Sequence, residues 1–187
     1  LKKGDDIMSN IVIISGSPSK PSRSLAISAY LEKRIKAEGL NASTISVRDL
    51  PAEDLLFANF NSPKIQEVLA QIEQAQAVII VSPVYKASYP GVLKALLDFI
   101  PEKGFVDKVV LPVVTGGTAA HLLTLEYAIK PIASVLGSQE ILKGVYFVDS
   151  QIGYHEDQVT FIDAEIESRL QTSLNDLLSR LKVEQLK

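Results

Sequence analysis

The chain has 187 residues, 47% apolar and 22% charged, with 19 Lys and Arg against 22 Asp and Glu for a net charge of −3. That composition fits one globular domain around a single core and removes the electrostatic case for nucleic acid. Absence of cysteine excludes disulfides, thiolate metal sites and thiol catalysis, and two histidines, His121 and His155, are too few for most metal or triad schemes.

The opening LKKGDDIMSN is not a secretory signal, because Asp5 and Asp6 interrupt it. Met8 is the expected start and Leu1–Ile7 an expected cloning remnant or upstream start. Residues 1–9 are therefore read as an N-terminal extension and 10–187 as one domain. No apolar run approaches a membrane span, and the cytoplasm is the expected location. Four β-branched runs follow: Ile11–Ile14, Ala77–Val81, Val109–Val114 and Gly144–Val148. Being apolar on both faces, they suit a parallel sheet covered by helices. A weaker alternating run, Ser43–Arg48, is an expected edge strand.

Helical periodicity separates the strands. Leu25, Ala29, Leu31 and Ile35 mark the first helix. Ile65, Val68, Leu69 and Ile72 mark the second, with Ser62 as N-cap and Pro63 in the first turn. Val92, Leu93, Leu96, Leu97 and Ile100 mark the third. A fourth is expected from Ala119 to Leu136, and a last through Ile166, Leu170, Leu174, Leu177 and Leu181. Asp49–Asn61 is expected as a surface loop or lid. This alternation predicts a doubly wound, five-stranded parallel α/β sheet in the flavodoxin-like order 2-1-3-4-5, with helices on both faces.

In such a sheet ligands sit beyond the carboxyl ends of the strands, at the switch between the first and third. Three polar or glycine-containing loops leave strands there. The first, GSPSKPSRS (Gly16–Ser24), holds four serines and two cations and opens a helix, whose free amides and dipole favour an anion. Ser17, Ser22 and Ser24 add hydroxyls and Arg23 a fork suited to phosphate. It is neither a Walker loop nor a dinucleotide fingerprint. Taken alone, the same residues equally build a strand-to-helix turn with Ser22 or Ser24 as N-cap. In the second loop, Pro83–Gly91, Tyr85 and Tyr89 can flank a flat ring while Lys86 meets its polar rim; otherwise Tyr85 plugs the sheet and Lys86 is solvated. In the third, Thr115–Thr118, Gly116 and Gly117 let backbone approach a ligand, or serve only as a flexible helix entry. His121 is read as a bland polar residue, His155 as a surface-loop residue and the pair Glu53–Asp54 as solvated. A phosphate pocket, a ring slot and a glycine loop at this switch point describe FMN.

The stretches GSPSKPSRS, SPVYKASYPGVLKALLD (Ser82–Asp98) and LPVVTGGTAAHLLTLEYAIKPI (Leu111–Ile132) resemble the NADPH-dependent FMN reductase family. The likeness is greatest to the flavin reductases that serve alkanesulfonate monooxygenases. It runs from Asn10 to about Ser150 and includes DLPAEDLLFANFNSP (Asp49–Pro63). The family phosphate loop is Gly-Ser-x-Arg-x-x-Ser; Gly16, Ser17 and Ser22 fit it. Ser19 replaces the usual arginine, which removes a cation that Lys20 is placed to supply. The resemblance implies Pro83, Val84, Tyr85, Lys86 and Ser88 along the isoalloxazine, and Thr115, Gly116 and Gly117 at its far rim.

What it implies chemically is hydride transfer from nicotinamide C4 to flavin N5, with FMN and NADPH as cofactors, no side-chain acid or base and no metal. Three readings compete. One is an FMN reductase that releases reduced flavin to a monooxygenase. Another is an enzyme that keeps FMN and reduces quinones, azo dyes or metal oxyanions. The third is a flavodoxin-like electron carrier. The third and fourth helices carry more apolar residues than one face holds, which predicts a homodimer or homotetramer joined through them. On the fourth, Leu122, Leu125, Ile129, Ile132 and Leu136 form the stripe expected to face the sheet, and Ala120, Leu123 and Tyr127 a second. The resemblance implies that Tyr127 is an extra residue held in a π-bulge at that interface and tied to flavin exchange. Pro131 independently argues for a disturbed ladder, since its ring crowds the Tyr127 carbonyl; a simple proline kink is the alternative.

Overall fold

A computed structural model describes residues 10–156 and 158–184. The extension expected at 1–9 lies outside the described residues. The main sheet holds β1 (Asn10–Ser15), β2 (Asn41–Ser46), β3 (Ala77–Pro83), β4 (Val109–Gly116), β5 (Glu140–Ile141) and β6 (Val145–Val148). Its order is β2-β1-β3-β4-β5, all parallel, with β6 also paired to β4. This is the flavodoxin-like arrangement expected from the alternation of patterns.

Strand alternation divides the core into two layers. Val12, Ile14, Val78, Ile80, Val110 and Val114 face α3 (Pro63–Gln74), α4 (Gly91–Leu97) and the segment around Leu125–Leu136. Ile11, Ile13, Ile79, Val81, Leu111 and Val113 face α1 (Arg23–Ala37) and α6 (Ala164–Glu184). Both faces of β1, β3 and β4 are thus dry, which is why those strands were legible as unbroken apolar runs.

Four expectations need correction. The fifth strand is split, β5 pairing Val109–Val110 and β6 pairing Val113–Gly116. The Val110 carbonyl accepts from Leu142 N at 2.9 Å, so Pro112, two residues on, turns its missing N–H to the same side. Gly144 makes the detour at φ +82°, where a Cβ would stand 2.7 Å from the Pro112 carbonyl.

The segment expected as an irregular lid instead forms a 3₁₀ turn, Val47–Asp49, and α2 (Ala52–Leu56). Asp54, expected to be solvated, organises the turn beyond: its carboxylate accepts from Ser62 Oγ at 2.6 Å and from Asn59 Nδ2 at 2.8 Å, which holds it below the usual carboxylate range. Ser62 does occupy the N-cap position of α3, but its hydroxyl is spent on Asp54 and does not cap.

The third correction concerns the start of the expected fourth helix, which is not α-helical, whereas the π-bulge implied around Tyr127 is present. A 3₁₀ turn at Ala119–His121 leads to a π-helical turn at Leu125–Ile129 and then to α5 (Lys130–Val135). The Lys130 amide reaches back five residues to the Leu125 carbonyl. The change of winding buries Leu125, Ile129, Ala133 and Leu136 but leaves Leu122, expected to face the sheet, half exposed. Pro131 stands just beyond the wide turn, where no i−4 bond from it is possible.

Finally, the structure adds a two-stranded hairpin that the strand patterns do not predict, β7 (Ile152–His155) with β8 (Gln158–Phe161). His155 ends its first strand, exposed, and Tyr30 of α1 packs edge-on against Phe161 at 5.3 Å. No described helix is long and apolar enough to cross a membrane.

Candidate active site

The first loop leaves β1 at Gly16, whose amide donates to the Val81 carbonyl of β3 at 2.8 Å. A Cβ there would meet Leu93 at 2.6 Å, so glycine lets the loop lie flat on the core. Ser22 caps α1, its Oγ accepting from Leu25 N at 3.2 Å. Ser17 is buried and accepts from the Ser19 amide at 3.1 Å. Both hydroxyls therefore serve as acceptors within the loop and keep a proton to donate outward. Ser24 is buried as well, and its Oγ has no hydrogen-bond partner among the described residues. A buried hydroxyl without a partner is costly unless a ligand satisfies it. Two helix-end amides, at Arg23 and Ser24, have no carbonyl within the helix to bond. The whole edge is an anion cradle.

These residues wall a cavity of about 250 Å³. Of the expected residues, Ser17, Ser22, Arg23 and Ser24 line it from the first loop, Pro83, Val84 and Tyr85 from the second, and Thr115, Gly116 and Gly117 from the third. Ser19 and Pro21 of the first loop also line it, and Asp149 and Tyr154, which sequence reasoning missed, complete the wall. Arg23 does not simply project into the cavity. Its Nε–H is shared between the carbonyls of Asp149 at 3.2 Å and Ile152 at 3.1 Å, and its guanidinium lies 5.2 Å from the Tyr154 ring centroid. Lys20 does not replace the absent arginine, because it turns to Asp49 at 3.7 Å.

A second cavity of about 510 Å³ adjoins the first through shared Val84, Tyr85 and Gly117, and extends over Lys86, Ala87 and His121. Val84 is fixed by its amide, which donates to the Thr115 carbonyl at 2.8 Å. Tyr85 and Ser88 then exchange backbone bonds of 2.7 and 3.1 Å around a two-residue turn. Lys86 and Ala87 stand at φ 50° and 64°, a left-handed pair that is strained for side chains other than glycine or asparagine. Thr124 tethers the turn, donating to the Ala87 carbonyl at 3.3 Å. Lys86 thus borders the outer cavity, while Ser88 closes the turn and lines neither cavity. Tyr89, expected to flank a ring, packs against the core instead, and burial pushes its phenol up.

The third loop rests on Tyr146. Its hydroxyl donates to the Thr118 carbonyl at 2.6 Å, and a Cβ on Gly116 would meet that oxygen at 2.2 Å. Burial first, and the Asp149 charge second, hold the phenol above its usual range, so it stays a donor. Gly117 is different: nothing lies within 4 Å of where its Cβ would be. A larger cavity of about 830 Å³ lies along α3 and the entry to β4, at the amino-terminal side of the sheet, and has no anion cradle.

The site therefore combines a narrow polar end with a broad, open shelf bordered by aromatic and backbone surface. An orphaned buried hydroxyl, two helix-end amides without an intrahelical partner and a side-chain-free rim fit a phosphorylated flat ring such as FMN. Residues 9–153 match the model of a family described as NADPH-dependent FMN reductase. An FMN reductase (NADPH) of Pseudomonas putida is 42% identical over 92% of this chain and 86% of its own. One of Escherichia coli is 42% identical over 88% and 85%. Among solved structures, an apo NADH:FMN oxidoreductase, EMOB, superposes with a TM-score of 0.82 at 30% identity, covering 91% of this chain and 88% of that one.

Proposed function

The chain belongs to the NADPH-dependent FMN reductase family, whose flavin is FMN and whose reductant is NADPH, and from that premise we propose that it reduces exchangeable FMN for a flavin-dependent monooxygenase of the alkanesulfonate type. NAD(P)H-dependent FMN reduction is the activity of the family; release to a monooxygenase is the step proposed here. The observation that carries it is the openness of the ring shelf: Tyr85 is 46% exposed and Gly117 opens on empty space. A flavin gripped at its phosphate and uncovered at its ring can leave after reduction.

In this reading Ser17, Ser22, Ser24 and Arg23 hold the phosphate. Pro83, Val84 and Tyr85 border the ring, with Lys86 at its outer edge and Ser88 acting through the turn. Thr115, Gly116 and Gly117 present backbone to the far rim. The bound cofactors themselves supply the hydride chemistry, between nicotinamide C4 and flavin N5. What this chain contributes is placement and a dry inner face, and no side chain is asked to move a proton. Leu122, Leu123, Tyr127 and Val135 leave an apolar strip on the outer side of the π-turn segment, Tyr127 being 77% exposed. That strip supports a homo-oligomer joined beside the shelf, with Tyr127 at the contact and tied to flavin exchange; a monomer at micromolar concentration in light scattering would contradict it.

Steady-state NADPH oxidation, with and without added FMN, tests the proposal. The expected enzyme purifies nearly colourless and turns over added FMN far in excess of its own concentration. A yellow enzyme with stoichiometric FMN and indifference to added flavin would mean that the flavin is a fixture.

A further inference from the structure

The polar end of the site carries a cation and an anion side by side. Arg23 Nη1 lies 3.7 Å from Asp149 Oδ2, while its Nε is bound by the carbonyls of Asp149 and Ile152. Tyr154 stacks on the same guanidinium from the hairpin β7–β8, just beyond Gly153, where the family match ends. Asp149 and Tyr154 both line the cavity together with Ser22 and Ser24. The other charges nearby do not offset this arrangement. Lys20 faces Asp49, and Arg48 uses Nη1 on the Pro18 carbonyl at 3.1 Å.

We propose that Asp149 sets how weakly this protein holds the flavin phosphate: its carboxylate occupies the charge of Arg23 and stands beside the bound dianion, with Tyr154 fixing the arginine in that shared position. The proposal rests on the reading that the phosphate sits at the amino end of α1. A guanidinium held by a neighbouring carboxylate offers an incoming anion only part of its field, and the carboxylate itself repels the newcomer. Both side chains are about one-third exposed, 34% and 39%, so water and salt soften the effect without removing it. Phosphate recognition then falls mainly to the serine hydroxyls and helix amides. Flavin is selected by shape and neutral donors yet released readily, as a flavin used as substrate requires.

The test is fluorescence titration of FMN and riboflavin into the wild type and Asp149→Asn at low and high salt. Removing one anion beside a phosphate should tighten FMN about tenfold at low salt, with the gain shrinking as salt rises. Riboflavin, which has no phosphate, should change less than about twofold on the same ground. FMN affinity that is unchanged, or equal shifts for both flavins, would overturn the proposal, the second outcome marking Asp149 as a mere hairpin support. If Asp149→Asn fails to fold, Tyr154→Leu frees the arginine from its stack; unchanged FMN affinity there would count against the proposal equally. Ser24→Ala separates the two levels. It should weaken FMN and spare riboflavin wherever Asp149 stands, so equal losses in that variant overturn the phosphate placement itself.

Discussion

The two ends of the site are built on opposite principles. At the end proposed for the phosphate, Gly16 is pressed against Leu93, Ser17, Ser22 and Ser24 are buried, and the 15-residue helix α1 anchors the loop in the core. At the end proposed for the ring, Tyr85 and Gly117 are exposed, Lys86 and Ala87 hold left-handed backbone, and one hydrogen bond from Thr124 ties the turn down. A rigid, preorganised end gives recognition at little ordering cost, and an open end leaves room for a second substrate and for departure. Affinity is therefore expected to respond to the first region, and turnover to the second.

Two adjacent glycines offer the sharpest way to break this contrast. Gly116→Ala drives a methyl into the Tyr146 hydroxyl and should destabilise the fold by about 1–3 kcal/mol in urea unfolding. Tyr146→Phe in that background should recover part of the loss. Gly117→Ala meets nothing and should leave stability within about 0.5 kcal/mol, while its methyl, standing in the cavity, raises KM for FMN. Equal unfolding energies for the two alanine variants would show that the rim is not supported from below.

The smallest effect belongs to the tether. Thr124→Val should cost about 0.5–1.5 kcal/mol. It should also speed hydrogen exchange at the Ser88 amide, which closes the turn onto the Tyr85 carbonyl at 3.1 Å. Unchanged exchange there would mean that the turn holds itself without help from the π-turn segment.

What could be foreseen divides along similar lines. Runs such as Ile11–Ile14 and Ala77–Val81 are dry on both faces, so composition alone marked them as central strands, and the order of elements then placed three loops at one edge. The serines of the first loop were legible because cap chemistry and anion chemistry demand the same side chains. Asp149 and Tyr154 were not, since they meet Arg23 across 126 and 131 residues of sequence and no local pattern announces the meeting. Alternation of Ile152 with Tyr154 and of Val159 with Phe161 carried a hairpin signal that a short polar stretch obscured. Pro112 inside an apolar run was visible, but its consequence, a divided fifth strand, depends on which side its missing N–H faces. Lys86 and Ala87 carry no turn signature, and their left-handed backbone is imposed by the surrounding structure.

Whether the first loop is the phosphate end decides the account, and Arg23→Ala, titrated with FMN and with riboflavin, asks this most directly. The substitution removes a cation lining the cavity and leaves the Asp149 carboxylate uncompensated. FMN should lose about 1.5–3 kcal/mol of binding free energy, from the partial Arg23 contact together with repulsion by the bared Asp149 carboxylate, while riboflavin binds nearly as before. Equal losses for the two flavins would show that Arg23 does not meet phosphate and that the anion cradle at α1 serves something else.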